Sequence, residues 1–206
     1  MHSSRDESAS VPWTGAVAAA GASVLVVTDL VGSALVPGYD PVRNSISDLA
    51  AGRLAWIQDL GLVAFAIGLA ALAWGLGRRR AGRTWRAGVV CVALVALDVA
   101  TIALHDEYGD RDRGGFVIHL ELVYALGGLF ALATLLLIPG LWRERRAWGI
   151  FDAVVGAAWI VLAPIFFIVP TRWDGLYERA IALIVLVWTF GMAWFLMRRR
   201  RRVSLT

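Results

Sequence analysis

Apolar residues run through this chain in six long blocks separated by short polar breaks. The blocks cover residues 12–34, 55–77, 86–104, 115–138, 148–169 and 176–197. Each approaches or exceeds the ~20 residues that carry a helix across a bilayer. The blocks show none of the alternating ten-residue segments of a membrane barrel. Helices then satisfy every backbone N–H and C=O within the segment, as lipid requires. The pattern predicts an all-α fold: a polytopic integral membrane bundle of six transmembrane helices, with short tails at 1–11 and 198–206.

Composition supports the same class. Of 206 residues, 59% are apolar and 17% charged, against about 45–50% and 25% in soluble domains. The net charge of +4 is explained by topology and does not point to nucleic acid. All 20 basic residues are arginines, and with alternating helices 14 of them fall on one side and 6 on the other. The positive-inside rule then puts both termini in the cytoplasm of a cell-membrane protein. Arg5 stands beside Asp6 and Glu7, and the apolar run that follows is long for a signal peptide, so the first block is expected to be a retained helix. Trp13, Trp74, Trp85, Trp142, Trp148 and Trp194 near the inner ends, with Trp56 and Trp173 near the outer ends, are expected to form an aromatic belt. Cys91 is the single cysteine; it rules out an intrachain disulfide and a cysteine-based zinc cluster.

Charges inside spans are costly, about 2.5–3.5 kcal/mol each on insertion scales, so their depth matters. Asp29, Asp59, Asp98 and Glu121 come from four different helices. Counting at 1.5 Å per residue puts all four roughly 6–9 Å below the outer boundary. They are expected to share one polar layer around a cavity. Asp98, Thr101 and His105 follow i, i+3, i+7 spacing on one face of the third span. Glu121, Tyr124, Ala125 and Gly128 share a face of the fourth, where the small residues suggest close helix packing. His119 lies about 200° around that helix from Glu121. Arg179 is a candidate counter-ion for a buried acid, and Asp152 is expected to favour the positive end of the fifth helix. In the first outer loop, Ser45 with Asp48 resembles a capping box. Residues 46–54 read as a short helix folding over the outer face, with Arg43 and Asp48 closing the polar layer from above.

The run GYDPVRNSISDLAAG (38–52) after a first membrane helix resembles the hallmark of a bacterial and archaeal membrane family, domain of unknown function 998. The resemblance rests on Tyr39, Asp40, Pro41, Asn44, Ser45, Ser47, Asp48 and Leu49. It continues in Asp98, His105 and His119, and in Gly175, Leu176, Tyr177, Glu178 and Arg179. His105–Asp106 departs from the pattern, since members often carry Pro-Asp or Cys-Asp there. The resemblance implies six helices and a membrane location, and it implies no activity.

Three kinds of function fit these residues. A lipid hydrolase or lyase would use His105 and His119 as metal ligands with Asp98, a zinc or other divalent ion lowering the pKa of its water to about 7. Glu121 or Asp48 would then be the base. A metal-free acid–base enzyme, such as an isoprenoid cyclase or isomerase, would draw on buried carboxyls among Asp29, Asp48, Asp59, Asp98 and Glu121. Asn44, Ser47, Tyr124, Glu178 and Arg179 are candidate substrate-binding residues in either case. A non-enzymatic lipid-binding, transport or structural subunit is the alternative, with membrane lipids or a hydrophobic small molecule as partner and a homo-oligomer as a possible assembly.

Overall fold

The computed structural model describes residues 11–79, 81–105 and 118–198. Among these the chain is helical, without strands. Six helices are long and apolar enough to cross a membrane. They are built on α1 (Pro12–Leu35), α3 (Ala55–Gly77), α4 (Arg83–Ile102), α5 (Ile118–Glu144), α6 (Arg146–Leu162, its span continuing to Ile168) and α7 (Asp174–Met197, its span opening at Thr171), with a one-turn helix α2 (Ile46–Leu49) between the first two.

Local chemistry places the ends. Pro12 opens α1, where its missing N–H costs nothing. Gly82, in the left-handed region at φ +98°, lets α4 begin at Arg83, three residues before the apolar block. α5 continues through Pro139 to Glu144, beyond the block's expected end. One extended residue, Arg145, then joins it to α6. The fifth span stops being α-helical at Leu162 and finishes as a tighter 3₁₀ segment, Ala163–Ile168, with Pro164 inside it. A 3₁₀ turn (Thr171–Trp173) leads into α7. The outer-loop helix ends at Leu49, well short of residue 54. Gly52 turns the chain at φ +80°, a conformation that a helix does not accept.

The helices form a ring. α3 lies between α1 and α4, α5 between α4 and α6, and α7 against α1. α6 and α7 meet over a much shorter stretch. The tightest seam joins α1 to α3. A Cβ at Gly68 would stand 3.2 Å from the Ala18 carbonyl oxygen, and one at Gly61 or Gly75 would collide with the hydroxyl of Thr28 or Thr14. Small residues at seven-residue spacing let the two backbones approach, as in other membrane helix pairs. The Thr14 and Thr28 hydroxyls donate to their own helix, at Val11 O and Leu25 O, so the seam leaves neither without a partner. Gly15 packs on Ala193 and Met197, so the start of α1 and the end of α7 share one end of the bundle. α2 caps the other end.

Two expectations need correcting. Trp85 does not belong to an aromatic belt: it is buried and donates from Nε1 to Leu76 O at 2.9 Å. Trp148 is half-buried and packs edge-on to Phe195. Trp13, Trp56, Trp74, Trp142, Trp173 and Trp194 are exposed. Asp152 does not serve the end of its helix; it is fully buried and accepts from Trp188 Nε1 at 2.7 Å, tying α6 to α7.

Candidate functional site

The loop after α1 is held by its own side chains. Gly38 takes φ +77°. Asp40 Oδ1 accepts from Val42 N in an Asx turn, and Asn44 Oδ1 accepts from Asp40 N across the loop, both at 2.9 Å, so the two side chains compact it. Ser45 and Asp48 then form a full capping box. The Ser45 hydroxyl accepts from Asp48 N at 3.0 Å, and Asp48 Oδ2 accepts from Ser45 N at 2.8 Å. Leu49, buried, rests on Gly32 of α1 and anchors α2 as a roof.

Arg179, in the second turn of α7, ties this loop to two helices. Its Nε and Nη2 form a two-pronged pair with Asp29 of α1 at 3.1 and 2.8 Å. Nη2 also donates to Tyr39 Oη at 2.7 Å and Ser33 Oγ at 3.3 Å. Nη1 donates to the carbonyls of Pro41, Asn44 and Gly175 at 3.0–3.2 Å. The planar guanidinium fork suits such a set, which an ammonium does not match. Tyr39 Oη also lies 2.7 Å from Ser45 O and 3.0 Å from Asn44 O. Burial pushes the Tyr39 phenol up to about 12, so its proton stays in place to donate to these carbonyls while the oxygen accepts from Arg179. Gly175 has no room for a Cβ against Asn44 O and Pro41 O. The N–H of Leu176, an orphan of the first helical turn, donates to Val42 O at 3.1 Å. Beside it, Glu178 Oε2 accepts from Ile46 N, at the start of α2, at 2.6 Å.

Below this roof lies a cavity of about 1200 Å³, larger than the usual 300–1,000 Å³ small-molecule site. Asp29, Arg43, Ser45, Ser47, Asp48, Gln58, His119, Asp174, Glu178 and Arg179 line its α2 end, and Leu25, Leu62, Phe65, Val95, Phe130, Trp159 and Val185 line its body. Phe130 stacks edge-on with Trp159 at 5.0 Å and with Trp188 at 5.3 Å. Leu30 and Leu183 line the cavity too, yet are 63% and 58% exposed. The space is therefore continuous with the bundle's lateral surface.

His119 stands in the first turn of α5, buried, between two partners. Its Nδ1 is 3.2 Å from the His105 carbonyl oxygen and its Nε2 is 3.2 Å from Ser47 Oγ. A carbonyl only accepts, so Nδ1 carries the proton of the neutral ring and Nε2 is left to accept from the Ser47 hydroxyl. His105 Nδ1 lies 2.9 Å from Thr101 O, which fixes that ring as well.

The expected acid layer separates in the fold. Asp29 and Asp48 line the cavity; Asp59, Asp98 and Glu121 do not. Glu121 is exposed, Asp59 half-buried, and Asp98 buried with its Oδ2 unpartnered among the described residues. Equal depth does not imply equal azimuth on four helices. Among the described residues no three His, Cys, Asp or Glu side chains converge to hold a metal ion. His119 turns its two ring nitrogens to Ser47 and to the His105 carbonyl, and His105 turns Nδ1 to the Thr101 carbonyl. Of the candidate binding residues, Ser47, Tyr124, Glu178 and Arg179 line the cavity. Asn44 lies behind them in the loop. Tyr124 stacks on Phe167 at 4.9 Å. Gly128, expected at a close helix contact, has open space where its Cβ would be, because it lies on the cavity wall. Residues 106–117, which include His105's acidic neighbours Asp106 and Glu107, lie outside the described residues.

Sequence reasoning missed Gln58 and Ser33. Ser33 follows Asp29 by four residues, a signal that places both on one face. Gln58 belongs to no motif, and its importance lies in being fully buried on the cavity wall with neither amide atom bonded among the described residues.

No curated protein and no solved structure matches the chain. A family model described as protein of unknown function (DUF998) matches residues 17–195, nearly the whole bundle with its loop, and the chain belongs to that family.

Proposed function

We infer that this protein binds an amphipathic membrane lipid, with the polar head at the α2 end and the hydrocarbon chains along the cavity body. One observation carries this reading: a cavity of about 1200 Å³ whose polar groups gather under α2 while its remaining wall is aliphatic and aromatic. A lipid entering sideways from the bilayer meets that polarity in the right order. The described head-group end offers four carboxylates (Asp29, Asp48, Asp174 and Glu178) against two guanidiniums, Arg43 and Arg179, and Asp29 and Arg179 satisfy each other. That balance favours a zwitterionic, hydroxylated or cationic head over an anionic one. The arginine asymmetry makes the α2 end the outward one, so the lipid would come from the outer leaflet.

The test is lipid mass spectrometry on protein extracted in mild detergent. A defined lipid should co-purify with the wild type at near-stoichiometric amount. Gly128→Trp should displace it without loss of fold, because the indole would extend into space that is open at that wall. A wild type free of lipid, or a Gly128→Trp protein with the same lipid content, would sink this reading.

A further inference from the structure

We propose that Ser47 is a nucleophile and His119 its general base, and that the pair cleaves an acyl ester bond of the lipid held in the cavity. The proposal rests on the lipid-binding reading for its substrate and on separate observations for its chemistry. Ser47 Oγ and His119 Nε2 are 3.2 Å apart on the cavity wall, within the reach expected of a nucleophile and its base in an unliganded site. The third element is a backbone group: the His105 carbonyl, 3.2 Å from Nδ1, holds the ring with Nε2 turned to the Ser47 hydroxyl. It also stabilises the imidazolium that forms. The second observation is Gln58. A fully buried amide without a partner is costly, and this one, unpartnered among the described residues, lines the same cavity as Ser47. Its N–H₂ is a donor available to the substrate's carbonyl oxygen.

The reaction balances with water as co-reactant. Ser47 Oγ attacks the ester carbonyl carbon while its proton passes to His119 Nε2. The bond from carbon to the alcohol oxygen breaks, and the alcohol leaves with that proton. Water, deprotonated by Nε2, then attacks the Ser47 ester; a carboxylic acid leaves and Ser47 regains its hydrogen. Asp29 and Arg179, each satisfied by the other, take no part.

An alkyl fluorophosphonate tests this in the full-length, detergent-solubilised protein, since it esterifies an activated serine with loss of fluoride. Tandem mass spectrometry should map the adduct to Ser47. His119→Asn should slow labelling by about a hundredfold or more, within the range for loss of a general base. Gln58→Leu should slow it by about 10²-fold, as for loss of one oxyanion donor, while leaving the protein at least as heat-stable as wild type. Ser47 left unlabelled in a folded, lipid-loaded wild type would overturn the proposal, and so would labelling at an unchanged rate in His119→Asn. Site mapping on the wild type decides even if a variant fails to fold. Lipid retained without labelling defeats the hydrolase and spares the binding reading. Labelling of Ser47 without co-purified lipid upholds the nucleophile and defeats the binding reading.

Discussion

Arg179 faces seven acceptors with five N–H protons, spread over α1, the loop and its own helix. Both it and Asp29 are largely buried, so removing one partner strands the other. Arg179→Met should destabilise the protein by about 3–5 kcal/mol, and adding Asp29→Leu should recover most of that loss. Unfolding curves in detergent for the two single variants and the double variant measure the coupling directly. Tyr39 makes a prediction about pH. Its folded pKa, about 12, exceeds the ordinary value of 10.0. Its contribution is therefore complete below pH 10 and is lost as the pH rises from there through 12, because the unfolded chain gives up the proton first. Melting temperature should fall over that interval in the wild type, and the Tyr39→Phe protein should lack this component. Arg179 was legible as the counter-ion of a buried acid, because a base near an apolar block needs an acid, but the choice of Asp29 came only with the fold. Gln58 was not legible, since a lone glutamine near a helix start looks like any wetted end.

At the scale of elements, glycines in similar blocks do opposite things. Gly61 presses on Thr28 across the α1–α3 seam, whereas Gly128 borders open space. Gly61→Ala should destabilise by about 1–3 kcal/mol through overpacking, and Gly128→Ala should be neutral or mildly stabilising, since alanine is the better helix former. Thermal melts of the two single variants in one detergent check the contrast. The sequence pattern predicted tight packing at Gly128 from its small neighbours. Small residues permit a close approach, but whether a partner comes close depends on a helix distant in the chain. α2 shows the converse. Its capping box was readable because Ser45 and Asp48 act within four residues of each other, while its early end at Leu49 depended on the turn at Gly52.

For the whole molecule, the arginine distribution predicts orientation. In a Cys91→Ala background, a cysteine at Arg43 should react with a membrane-impermeant maleimide on intact cells. A cysteine at Arg79, at the opposite end, should react only after permeabilisation. The reverse result would turn the protein over and move the cavity to the inner leaflet.

Six spans and a membrane class followed from the sequence alone, because lipid makes each segment satisfy its own backbone and each apolar block therefore declares itself. The capping box and the family motif were equally local. The tertiary structure alone decided which of the four equal-depth acids share a cavity. A helix turns about 100° per residue, so depth can be counted along the chain, but facing depends on how each helix is rotated in the ring. Asp29 faces the cavity, while Asp59, Asp98 and Glu121 do not line it. The same long-range packing brings Ser47 to His119, 72 residues away in sequence. No local pattern encodes that contact, because it exists only once α2 is roofed over the start of α5.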